Sequence, residues 1–239
     1  MLKKYIMGTA LAAAMFCSAA AAAGEAQDFY TGEKIKGCDA GTFLQMEGDD
    51  VNFRKAPGNG AVLRVLDRHT LLRVLDKQGD WYKVNADGTE GYVYAPFTSP
   101  GVKDALTTED FSLGCGVLNS RFDKEKAEDV LGRELEYKKV KKLHMHRYKL
   151  YTLGVGRRSK LVEFIEVRDP AVITIRGISV GDSSARAVGQ YGMPDSVSYR
   201  EDETVYRYYI SDDRNGFIRF SVLVDKNGKV SAMRLQKLK

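Results

Sequence analysis

Residues 51–66, VNFRKAPGNGAVLRVL, and residues 69–94, HTLLRVLDKQGDWYKVNADGTEGYVY, decide how this 239-residue chain is read. Short β-rich runs are separated by turn chemistry at Ala56-Pro57-Gly58-Asn59-Gly60, Lys77-Gln78-Gly79-Asp80 and Asn85-Ala86-Asp87-Gly88. Runs of that length with that punctuation predict a small closed barrel of short strands. Along Trp81-Tyr82-Lys83-Val84 the side chains alternate, so Trp81 and Lys83 share one face and Tyr82 and Val84 the other. Lys83 belongs in water, which puts Trp81 at the surface and Tyr82 toward the core.

Three segments, Val51-Asn52-Phe53-Arg54, Gly79-Asp80-Trp81-Tyr82-Lys83-Val84 and Gly91-Tyr92-Val93, resemble a bacterial SH3-type domain. The resemblance implies an SH3-like barrel over residues 38–100. It also implies a module that binds outside the cytoplasm, in related domains usually cell-wall peptide, and does not itself catalyse. The candidate ligand-binding residues are Arg54, Trp81, Tyr92 and Tyr94. Their rings offer apolar contact to an extended peptide and the guanidinium pairs with a carboxylate. The competing reading makes several of these rings barrel core.

The ends of the chain set the compartment. Lys3 and Lys4 form a positive start, Tyr5 to Phe16 an apolar stretch, and Ala21-Ala22-Ala23 a small-residue cleavage site. That order predicts a cleaved signal peptide over residues 1–23, hence a periplasmic or extracellular protein. A membrane anchor is the alternative, but the second half of the apolar run is alanine. Lipid attachment at Cys17 fits poorly behind a bulky Phe16. No later stretch is apolar enough to span a bilayer, so no transmembrane segment is expected after cleavage. Without Lys3 and Lys4 the balance is 35 basic to 32 acidic residues, too mild for nucleic-acid binding. Cys38 and Cys115 remain, and two cysteines in an oxidising compartment suggest one disulfide. Such a bridge would contribute roughly 4 kcal/mol on the chain-entropy view.

Beyond a flexible leader at residues 24–37 and the barrel, a turn-rich linker at 101–106 leads to residues 107–239, which hold an internal repeat. In the first copy, about 107–177, Asp123 caps a helix whose Ala127, Val130 and Leu131 share a face, and Gly132 ends it. Strand-like runs follow at Leu135 to Lys141, Met145 to Thr152, Leu161 to Val167 and Ala171 to Arg176. In the second copy, about 178–239, Asp182 caps, Ala187 and Tyr191 repeat the face, and Gly192 and Pro194 stop the helix. Its runs are Val197 to Arg200, Thr204 to Ile210, Phe217 to Val224 and Val230 to Gln236, with a hairpin signal at Asp225-Lys226-Asn227-Gly228. The expected fold is therefore an all-β SH3-like barrel followed by an α+β domain of two helix-plus-four-strand antiparallel repeats. Val180-Gly181-Asp182-Ser183 with Tyr191-Gly192-Met193-Pro194-Asp195 is similar to modules of the small outer-membrane assembly lipoproteins (SmpA/OmlA type) and of the β-lactamase-inhibitor-protein type. That resemblance implies a protein-binding or envelope role.

Other constellations are weaker. From Lys138 to Lys160 there is no acid, and Lys138, Lys141, Arg147, Lys149, Arg157 and Arg158 form a basic patch. It suits an anionic surface, or else is a solvated edge with aggregation-blocking lysines. His144 and His146 share a strand face, but no third ligand is evident, so neither metal nor cofactor is expected. Cys115 in Leu113-Gly114-Cys115-Gly116 lacks the Asp-Cys-Ser-Gly setting of a wall-cleaving cysteine peptidase, and no Gly-x-Ser-x-Gly elbow exists. The sequence thus points to a non-catalytic envelope binding protein with a cell-wall peptide or an envelope protein as partner. The alternative is a secreted inhibitor or assembly factor acting through the tandem domain.

Overall fold

The computed structural model describes residues 43–212 and 216–238, with the backbone of two short strands, β1 (Ala26–Gln27) and β2 (Lys34–Ile35), that pair antiparallel within the leader. The expected signal segment, Cys17 and Cys38 lie outside the described residues. Among the described residues no helix is long and apolar enough to cross a membrane.

Seven strands follow: β3 (Phe43–Met46), β4 (Val51–Arg54), β5 (Val62–Leu66), β6 (Leu71–Gln78), β7 (Trp81–Ala86), β8 (Thr89–Tyr94) and β9 (Thr98–Ser99). Their order in one antiparallel sheet is β5-β4-β8-β7-β6-β3-β9. Met46, Val51, Phe53, Leu66, Leu72, Val84, Ala86 and Val93 form a single buried cluster, so six strands wrap one core. Alternation explains the sides: Val84 and Ala86 point in, and Tyr82 packs against the cluster from its edge. Gly91 lies where a Cβ would stand 2.6 Å from the Phe53 ring, so the β4–β8 approach requires a bare backbone there. Asp87 and Gly88 join β7 to β8 with φ of 48° and 87°, the left-handed pair of a tight hairpin.

Among the described residues the rest is one eight-stranded antiparallel sheet with two α-helices. Helix α1 (Lys124–Leu131) precedes β10 (Glu136–Val140), β11 (Leu143–Arg147), β12 (Tyr151–Gly156) and β13 (Val162–Val167). Helix α2 (Ser184–Tyr191) precedes β14 (Ser196–Tyr199), β15 (Glu203–Asp212), β16 (Gly216–Asp225) and β17 (Val230–Leu238). The order β10-β11-β12-β13-β17-β16-β15-β14 joins two meanders at their last strands.

Several local expectations are corrected. Ala171 to Arg176 is not a strand. Thr174 makes an isolated bridge to Leu113, and a turn closes at Gly177, leaving Ile173 and Ile175 exposed. The run Met145 to Thr152 is split by a turn in which the Tyr148 amide donates to the Tyr151 carbonyl at 2.7 Å. The cap of α2 is Ser183, which accepts from the Arg186 amide at 3.2 Å; Asp182 instead accepts from Ser179 and Arg186. Val130 faces solvent at 67% exposure, because α1 lies at the margin of the core while α2 buries Ala185, Ala187, Val188 and Tyr191.

The two domains are packed together. Leu71 of β6 belongs to the large core cluster that includes Ala187, Val188 and Tyr206, and α2 rests on β6. At the centre of the seam is Asp87, whose side chain is 2% exposed. It accepts from the Tyr206 hydroxyl at 2.7 Å, from the Ser184 hydroxyl at 3.1 Å and from Arg64 Nη2 at 3.2 Å. The linker at 101–106 is pinned too. The Met193 amide donates to the Val102 carbonyl, Lys103 pairs with Asp195, and Asp104 pairs with Arg176.

Candidate functional site

The β7 strand connects the seam to the opposite end of the barrel. Ala86 adjoins the Asp87 turn, and Trp81, five residues away, is about 17 Å distant at the usual strand rise. Trp81 stands opposite Tyr94 in register, their rings 5.4 Å apart at 54°. The chain then turns through Ala95–Phe97, a 3-10 turn started by Pro96, which brings the Phe97 ring 5.8 Å from Tyr94, edge to face. Three aromatic rings thus form one wall of an open groove of about 560 Å³. The other wall comes from the β3–β4 turn, with Gly48, Asp49, Asp50 and Asn52, and from the β4–β5 loop, with Gly58 and Asn59.

Arg54 lines this groove, and its Nη1 donates to the Gly60 carbonyl at 2.9 Å, where the Lys55 amide also closes the loop onto Ala61. Its guanidinium therefore shapes the β4–β5 loop as well as facing the groove. Tyr92 sits between Arg54 and Lys83 in register, on the outer face it shares with Tyr94, but does not line the groove. Of the four residues singled out by sequence, the structure gathers Arg54, Trp81 and Tyr94 and leaves Tyr92 beside them.

Phe97, Asp49, Asp50 and Asn59 are groove residues that the sequence reading missed. Pro96, two residues past Tyr94, marks a turn and was a usable signal for Phe97. The acidic turn Glu47-Gly48-Asp49-Asp50 ahead of Val51 was a usable signal for the far wall. The base of that turn is tied down: Glu47 accepts from the Ser99 hydroxyl and from Gln45, and Arg68 bridges to Glu47 and Asp49. The Ser99 hydrogen bond, then that from Gln45, holds the Glu47 carboxyl below its usual range. Asp50, at φ 55°, stays exposed at the rim. The groove combines a rigid apolar wall with carboxylates opposite, a surface suited to an extended peptide with polar and cationic groups.

The other candidate residues separate. Cys115 is an exposed free thiol beside Tyr151, whose hydroxyl is pushed up to about 12 by burial and by the Cys115 side chain. His144 and His146 share a face. His146 Nδ1 lies 2.7 Å from Glu134 Oε1, and its ring sits between Phe122 and Tyr137 at 4.4 and 5.1 Å. No group of three potential metal ligands occurs among the described residues. The basic patch divides as well. Lys138 and Arg147 are both paired with Glu136, whereas Lys141, Arg157 and Arg158 are exposed at hairpin tips, and Lys149 lies in the β11–β12 turn.

Comparison with known proteins agrees with the barrel. Residues 49–99 match the family model of the bacterial SH3 domain. No curated protein matches the chain. Among solved structures, the crystal structure of the C-terminal domain of TagH is 10% identical, covering 82% of this chain and 96% of that one with a TM-score of 0.23. The family match stops at residue 99, and no comparison supports the expected resemblance of the second domain to assembly lipoproteins or inhibitor modules.

Proposed function

We propose that this chain is an exported, non-catalytic binding protein of the cell envelope, whose barrel groove takes the peptide of peptidoglycan. The observation that carries the reading is the groove itself: Trp81, Tyr94 and Phe97 form one continuous aromatic wall inside the segment matched as a bacterial SH3 domain. A stem peptide is extended and carries amide, amine and carboxylate groups. The rings supply apolar contact along it, Arg54 meets carboxylate, and Asp49 and Asp50 accept from amine or amide donors.

The second domain, in this reading, descends from a duplicated helix-plus-meander unit and serves as the platform that holds the barrel. Its support is the pairing of two four-stranded meanders through β13 and β17 and the buried seam around Asp87. Sedimentation of the full chain with purified insoluble peptidoglycan tests the proposal. Retention at physiological salt that Trp81→Ala abolishes supports it. Equal recovery in the supernatant with and without peptidoglycan would refute it.

A further inference from the structure

We infer that the adjoining tips of the β10–β11 and β12–β13 hairpins form a basic rim that docks on a phosphate-bearing lipid surface. The two tips are locked side by side: the Arg157 amide donates to the Lys142 carbonyl at 2.9 Å, and Arg157 Nη1 reaches the Lys141 carbonyl at 3.5 Å. Lys139 is the last residue but one of the neighbouring edge strand, and Arg158 and Lys160 complete the second turn. Lys139, Lys141, Arg157, Arg158 and Lys160 are all exposed, and none is in an ion pair among the described residues. The carboxylate at this end, Glu163, is buried and accepts from the Ser159 hydroxyl. The concentration of charge is felt by His144. Its pKa is lowered by burial first, then by Lys160, Arg157 and Lys139 in turn.

Five unneutralised cations at one end of a sheet differ from the rest of this basic stretch, where Glu136 balances Lys138 and Arg147. They stand on a strand end and two separate turns facing solvent, rather than converging on one point. That spread matches a plane of headgroups better than a single bound anion. Tyr137, 44% exposed and two residues from Lys139 on the same side of β10, adds an amphipathic ring of the kind that settles at headgroup level. Charged edges also keep strands from pairing with other chains, but that role needs only alternate lysines on β10, not the four cations of the turns.

Each Lys or Arg near an anionic membrane strengthens binding roughly five-fold at low salt. The test is co-sedimentation of the full chain with vesicles of phosphatidylcholine alone and of phosphatidylcholine mixed with phosphatidylglycerol. The protein should pellet with the mixed vesicles only, reversibly with salt, and Arg157→Glu with Arg158→Glu should weaken binding about 25-fold or more. Lys139→Gln with Lys160→Gln repeats the test without charge reversal. Lys138→Gln and Trp81→Ala should leave vesicle binding intact, which separates this surface from the barrel groove. Failure to pellet with mixed vesicles at low salt, or pelleting that both tip variants leave unchanged, overturns it. So does capture by an isolated anionic wall polymer without capture by vesicles.

Discussion

Removing the Asp87 carboxylate should both destabilise this protein and uncouple its two domains. The Asp87→Ala variant strands the hydroxyls of Tyr206 and Ser184, both buried, and removes the partner of Arg64. Each stranded buried donor costs about 1–3 kcal/mol. Arg64 is 28% exposed and can turn partly to water, so its share is smaller. Alanine at the left-handed turn position adds strain, since φ there is 48°. The sum is about 3–5 kcal/mol, with Asp87→Asn milder because asparagine tolerates the turn and still accepts from Tyr206. Trp81 is the sole tryptophan and lies in the barrel, while most ordered strand residues lie in the second domain. Urea unfolding followed by tryptophan fluorescence and by far-ultraviolet circular dichroism therefore reads the two domains separately. In the parent the two curves should coincide. In Asp87→Ala the fluorescence curve should move to lower urea and part from the dichroism curve. Coincident curves within about 0.5 kcal/mol of the parent would refute the seam as the coupling element.

Three further outcomes follow from the same geometry. Burial pushes the Tyr206 and Tyr208 hydroxyls up, and Tyr191 to about 12, so these groups fold in the neutral form. With folded values raised above the unfolded value near 10, their contribution is intact below about pH 10 and lost as pH rises. The urea midpoint should hold level to that point and then fall, and a level midpoint to higher pH would contradict the burial. Gly91→Ala should cost the barrel about 1–3 kcal/mol through the Phe53 ring and show in the fluorescence transition. Arg176 donates to Asp110 at 2.7 Å, to Asp104 at 2.9 Å and to the Gln190 carbonyl at 2.6 Å, so Arg176→Ala should destabilise by about 1–3 kcal/mol. It should also raise the Asp110 carboxyl, now held low chiefly by the Arg176 hydrogen bond, as read by carboxyl titration in NMR spectra.

The barrel was legible because its turns advertise themselves. Gly79-Asp80 and Asp87-Gly88 mark hairpins, and the alternation of Trp81 through Val84 gives the faces. The turn at Tyr148-Lys149-Leu150 contains neither glycine nor proline, so it left no mark in the sequence. The Ile173 and Ile175 alternation looked like a strand but serves a loop whose one strand-like bridge among the described residues runs from Thr174 to Leu113. Asp87 was read correctly as a turn residue, yet its partner Tyr206 is 119 residues away, a distance no local pattern reaches. The groove was half legible for a similar reason. Alternation puts Trp81 at the surface and the SH3-type resemblance adds Tyr94, but only barrel closure brings Asp49, Asp50 and Phe97 across from or beside them. The basic stretch was visible as a run of charge, while the division between residues paired with Glu136 and residues left open at the tips depends on hairpin register.

Trp81 is at once the only tryptophan and the centre of the aromatic wall, so the ligand can be sought by its own emission. Titration of the full chain with soluble peptidoglycan stem peptides should give a saturable shift in Trp81 fluorescence, weakened by Phe97→Ala and by Asp50→Asn. An emission spectrum unmoved by stem peptides in a folded protein, with Phe97→Ala indistinguishable from the parent, would contradict the cell-wall reading of the groove.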